Sequence, residues 1–157
     1  MNEKLFKKLG ELHAFSEVGR ELFEKNHKNL ITVWSSDEVS LIIEKNAGFE
    51  KQINILADRN SMSKVMLTKA EKTKAKLTQM QDLYLADDTD PIEIMEWLSF
   101  FEGAAAAHGS LVLGMAQNNQ EIERFTKDLI SFHRELVEKV AEILFRIGKK
   151  KVGFLKK

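Results

Sequence analysis

The sequence predicts an all-α protein: an up-and-down, antiparallel four-helix-bundle-like domain with about five helical segments. Three observations predict it. Apolar residues recur at intervals of three and four along most of the chain, the spacing of one helix face. One proline and eight glycines in 157 residues leave few breakers. The stretches between periodic segments are short, and short connections make sequence neighbours antiparallel.

The first segment runs from about Glu3 to Val33, with Leu5, Leu9, Leu12, Phe15, Leu22, Phe23 and Leu30 on its apolar face. The polar cluster Asn26-His27-Lys28-Asn29 is a candidate early end. The second segment starts at Ser35-Ser36-Asp37-Glu38, a capping box in which Ser35 accepts from the Glu38 backbone and Glu38 reaches back. Val39, Ile42, Ile43, Phe49, Ile53 and Leu56 mark its buried side. An unbroken helix from Ser36 to Ala86 would span roughly 75 Å at 1.5 Å per residue. Asp58-Arg59-Asn60-Ser61 is therefore a break.

The third segment is roughly Met62 to Leu85, and Asp87-Asp88-Thr89 is the loop that follows. Two aspartates oppose the dipole at a helix C-terminus, which supports a stop there. The fourth segment has an N-cap in Asp90, Pro91 at the first helical position and Glu93 at N3. It is apolar on nearly all sides, so it is expected to be the most buried helix. Asn118 and Glu121 form the expected cap pair of the fifth segment. There, Ile122, Phe125, Leu129, Phe132, Leu136, Val140, Ile143 and Ile147 hold a heptad-like stripe. Gly148 is a natural C′ residue. The expected organisation is one bundle domain over residues 1–148 and a basic C-terminal tail over 149–157. Five segments exceed a four-helix core, so one is expected to be broken or packed across an end.

Composition excludes several functions. With no cysteine, disulfides, thiolate nucleophiles and Cys-based metal sites are out. Lys+Arg and Asp+Glu are both 24, so no bulk polyelectrolyte partner is implied and nucleic acid is a poor candidate. Charged residues occupy the start of the chain, where a signal peptide would be apolar. The least charged stretch, Gly103 to Gln120, is too rich in Ala and Gly to be a transmembrane segment. A cytoplasmic protein is expected. No P-loop, Rossmann fingerprint, zincin motif or nucleophile–base spacing is present, so the sequence leans away from an enzyme.

Four candidate sites remain. The first is a divalent metal site in the bundle core. It would draw on His13 and Glu17 at i, i+4, on Glu24 and His27 as a Glu-x-x-His, and on Glu102, His108 and His133. In architecture such a core resembles ferritin-like bundles, but their motif needs two Glu-x-x-His pairs and this chain has one. The second is a ligand pocket beside Gly103-Ala104-Ala105-Ala106-Ala107, walled by Trp97, Phe100 and Phe101 with His108 as its polar handle. The third is a basic surface, Lys69, Lys72 and Lys76 with the tail lysines Lys149, Lys150, Lys151, Lys156 and Lys157, which would meet an RNA or an anionic lipid surface. The fourth is self-association. Trp34, Trp97, Phe100 and Phe154 exceed what one chain covers, and a dimer is the commonest solution. The leading expectation is a non-catalytic bundle acting through self-association or protein partners. A metal- or ligand-binding core and an anionic-polymer binder are the alternatives.

Overall fold

The computed structural model describes residues 2–87 and 90–155, with side chains as far as 152. Asp88, Thr89, the side chain of Phe154, Lys156 and Lys157 lie outside the described residues. Six helices and no strand occur among the described residues: α1 (Glu3–Lys25), α2 (His27–Leu30), α3 (Ser36–Arg59), α4 (Ser63–Leu85), α5 (Pro91–Met115) and α6 (Gln120–Leu155).

The helix starts follow capping chemistry. Ser35 Oγ accepts from the Glu38 amide at 3.1 Å. The return half of that capping box does not form, because the Glu38 carboxylate takes the Trp34 indole N–H instead, at 2.5 Å. Asp90 accepts from the Ile92 amide at 2.8 Å. At α6 the cap is one residue later than expected. Asn119, not Asn118, accepts from the Ile122 amide at 3.1 Å, and the Asn118 amide donates to Glu123 rather than to Glu121. Asn118 is spent on the turn itself, at φ 74°. The other two tight turns also use left-handed residues that are not glycine, Ser61 at φ 57° and Ala86 at φ 48°.

One end falls in the polar cluster offered for it and one differs from expectation. The first segment breaks at Asn26, whose side chain donates to the Leu22 carbonyl and whose amide closes α1. The last helix does not stop at Gly148 but continues to Leu155. Gly148 does not adopt positive φ, and the lysines after it are good helix formers.

Specific pairs fix the topology. Arg20 meets Glu50, and His13 faces Asn54 while Gly19 faces Asn46, so α1 and α3 are antiparallel. Glu11 meets His108 and Phe15 meets Phe101, so α1 and α5 are antiparallel. Glu102 meets His133 across α5 and α6. Phe49 meets Phe125 and Phe132, and Glu38 meets Lys139, across α3 and α6. These four antiparallel seams close a square of α1, α3, α6 and α5. The fifth long helix, α4, lies outside it, along α1 and not across an end. Gly10 abuts Met66 and, further along both helices, Lys74 reaches Glu17 and Glu21, so α4 runs parallel to α1.

This placement changes which helix is most buried. α1 has α3, α4 and α5 around it, and every residue from Leu9 to Ser16 is buried. α5 keeps an open outer side, so it is not the most buried helix despite its composition. The α1–α4 approach depends on Gly10. A Cβ there would lie 2.4 Å from the Met66 carbonyl oxygen, which is backbone and cannot turn aside. Leu12 and Phe6 on α1 and Met66 on α4 fill the same apolar cluster, and each fully buried large side chain contributes about 1.5–3 kcal/mol.

Gly10→Ala is expected to destabilise the fold by about 1–3 kcal/mol through overpacking. Gly48→Ala, in open space on α3, should stabilise it by about 0.5–1 kcal/mol through helix propensity. Urea midpoints for the two variants check both signs, and equal behaviour would refute the close approach.

Candidate functional sites: a buried polar layer and an open apolar face

The interior divides into two apolar clusters. One contains Phe15, Val18, Phe23, Ile42, Leu98, Phe101, Leu136 and Val140. The other contains Phe6, Leu9, Phe49, Ile53, Val112, Phe125 and Leu129. On each core helix a buried polar residue falls in or beside the junction: Ser16 on α1, Asn46 on α3, Glu102 on α5 and His133 on α6. Contacts connect the layer. Asn46 Nδ2 and the Phe101 ring both lie within 3.5 Å of where a Gly19 Cβ would be. The His133 ring lies against Phe49 and Phe132.

Glu102 and His133 are hydrogen-bonded to each other through Oε2 and Nδ1, with both side chains 1 % exposed. Five atoms of the layer have no hydrogen-bond partner in the protein: Ser16 Oγ, Asn46 Nδ2 and Oδ1, Glu102 Oε1 and His133 Nε2. A buried polar group left unpaired costs about 1–3 kcal/mol. The layer is therefore either a register lock between helices or the wall of a site.

The other sequence candidates fall in separate places. His13 is buried, with Nδ1 3.9 Å from Glu17. Glu17 itself is drawn to Lys74, and Glu24 to Arg20. His27 lies in the short α2, half-buried. His108 Nδ1 lies 3.1 Å from Glu11 Oε2. Each of the three long-helix histidines thus has a different nearest carboxylate. Among the described residues no group of three or more His, Asp or Glu is placed to hold a metal ion.

In the expected ligand pocket, Phe15 occupies the space, with ring centroids 5.2 Å from Phe101 and 5.1 Å from His108. Trp97 is buried and donates to Gln81 at 3.1 Å. Phe100 points away from this region, into solvent.

Sequence reasoning missed Glu11, Ser16 and Asn46. Glu11 is a buried carboxylate held by Lys8 at 3.0 Å, His108 at 3.1 Å and Lys69 at 3.5 Å. Burial pulls its pKa up, but Lys8 and His108 outweigh this and hold it below the ordinary carboxylate value. Asn46 was legible in principle, because it interrupts the apolar stripe Ile42, Phe49, Ile53 in register.

The second feature is an open apolar face on α4 and α5. Leu83 is 79 % exposed, Phe100 63 % and Met80 55 %. Tyr84 bridges to Trp97 and Phe100, with ring centroids 5.4 and 5.8 Å away. Along α5, Phe100 is followed by the exposed residues Ala104, Ala107 and Leu111. One end of this face is acidic. Desolvation, then Glu96 and Glu93, raises the Tyr84 phenol above its ordinary pKa. The other end is basic. Lys7, Lys64, Lys69 and Lys72 line a groove of about 280 Å³ between the starts of α1 and α4, with Glu3 its acidic member. Lys76 is exposed on the same helix. No helix among the described residues is long and apolar enough to cross a membrane.

Burial holds the His13 imidazole below its ordinary pKa of 6.5, against the opposing pull of Glu50 and Glu17. The unfolded chain therefore binds this proton more readily than the folded one, so stability is retained above pH 6.5 and declines as pH falls below it. His13→Gln should flatten the decline measured by urea unfolding between about pH 7.5 and 5.5. An unchanged slope would show that His13 is not its source. Comparison of the chain with protein-family models, with curated proteins and with solved structures finds no match.

Proposed function

We propose that this protein is a non-catalytic helical module that works by associating with a second copy of itself. The observation that carries this reading is the contiguous set of large apolar side chains left in solvent by α4 and α5: Met80, Leu83, Tyr84 and Phe100. Exposed apolar patches with an aromatic centre mark association surfaces more often than they mark bare surface. Trp34 and Trp97 are covered within the chain, and other strongly exposed large apolar residues, Leu41 on α3 and Phe145 on α6, stand apart from this set. Light scattering at micromolar concentration should give twice the chain mass of 18.0 kDa. Phe100→Glu with Leu83→Glu should return it to the single-chain mass with helicity intact. A wild-type monomer at every concentration would remove the reading.

A second reading is supported by the five unpartnered atoms of the polar layer. It takes the layer as a site for a small hydrogen-bonding guest. Glu102 Oε2 and His133 Nδ1 bond each other, which leaves Oε1 and Nε2 to face such a guest. Native mass spectrometry separates guest from register lock. A guest appears as an adduct on the wild type that the Glu102→Leu/His133→Phe double variant loses. A bare wild-type mass, with the double variant less destabilised than either single one, identifies a lock.

A further inference from the structure

We infer that two copies pair through α5 in antiparallel register about a two-fold axis, with Phe100 of each protomer over Leu111 of the other. The inference rests on the self-association reading above and adds its geometry. It is carried by two independent properties of the open face.

The first is the pattern of side-chain size. Phe100, Ala104, Ala107 and Leu111 are all exposed on α5, and their spacing of four, three and four is the same in both directions. The order large, small, small, large is likewise unchanged when the helix is reversed. A two-fold interface requires one patch to complement itself. Antiparallel pairing seats each large end residue opposite the other protomer's large end residue. It sets Ala104 opposite Ala107, where small side chains allow two helix backbones to approach closely. Gly103 and Gly114, with nothing within 4 Å of a Cβ, add no bulk along this side. A parallel pairing would stack Phe100 on Phe100 and Leu111 on Leu111, and would set like charges together.

The second property is charge. The Phe100 end carries Glu93 and Glu96 on α5, Asp82 on α4 and Asp87 just past its end. The Leu111 end carries Lys64 and Lys69 on α4, with Lys7 beside them on α1. Trp97 bonds Gln81 near the first end, and Lys69 and His108 share Glu11 near the second, which sets Lys64 level with the far end of α5. The two-fold axis that reverses α5 also reverses α4 on the same side of the interface. Each acidic end then meets the partner's basic end. Complementary ends of this kind set register and steer encounter.

A charge swap tests the register. One variant carries Asp82→Lys and Glu96→Lys, the other Lys64→Glu. None of these three side chains takes part in a hydrogen bond or ion pair of the described fold, so both variants keep their circular dichroism. Each alone is expected to dimerise at least tenfold more weakly than the wild type in sedimentation equilibrium, because like charges meet twice. An equimolar mixture should recover wild-type affinity as a heterodimer, because both contacts again join opposite signs. If the wild type dimerises and either variant matches it, or the mixture fails to recover, this register is wrong while self-association stands. If the wild type stays monomeric, both are wrong.

Discussion

The arrangement depends on how closely α4 lies against α1. Met66 presents its carbonyl oxygen where any side chain at position 10 would begin, so only glycine lets the two helices run side by side. Once α4 is there, α1 is enclosed by three long helices and its whole middle turns inward, polar Glu11, His13 and Ser16 included. The cost of burying those groups is met by partners at Glu11, which has Lys8, Lys69 and His108 around it. The second consequence is at the surface. A fifth helix laid along α1 leaves the outer side of α5 without a cover, so Phe100 and Leu111 of this apolar helix stay in solvent.

The square of α1, α3, α6 and α5 has a different organisation inside. Two apolar clusters meet at a plane where each helix contributes one polar residue. Apolar contacts tolerate a slip of one turn far better than a buried hydrogen bond does. The Glu102–His133 bond ties α6 to α5, and Arg20, bonded to Glu50 at 2.6 and 3.1 Å, ties α1 to α3. These few polar pairs are the contacts most sensitive to helix register, while the buried apolar volume is supplied by Phe6, Leu9, Phe23, Leu98 and their neighbours.

Much of the fold is legible in the residues. Ser35 and Asp90 cap the helices they were expected to cap, and the break at Asp58–Ser61 lies where helix length requires it. The errors have physical reasons. Gly148 offers a stop signal, but a glycine ends a helix only when the chain beyond it turns away, and here it continues. Asn118 and Asn119 are both capping residues, and which one caps depends on the left-handed turn the chain adopts before α6. The relative burial of α1 and α5 was not legible, because periodicity reveals a helix's apolar sides but not how many neighbours reach them. For the polar layer, Glu102 and His133 were recognisable as inward-facing groups. Their mutual bond, and the roles of Asn46 and Ser16, required the helices to be placed first.

The most direct test of this account is residue-level footprinting with a photogenerated carbene across a dilution series. The account predicts heavy labelling of Met80, Leu83, Tyr84 and Phe100 in dilute protein, fading as concentration rises. Phe6, Phe15 and Met66 should stay unlabelled throughout. Labelling of Phe6 and Met66 equal to that of Phe100 would mean that α4 does not lie on α1. Labelling of Phe100 that ignores concentration would mean that nothing comes to cover α5.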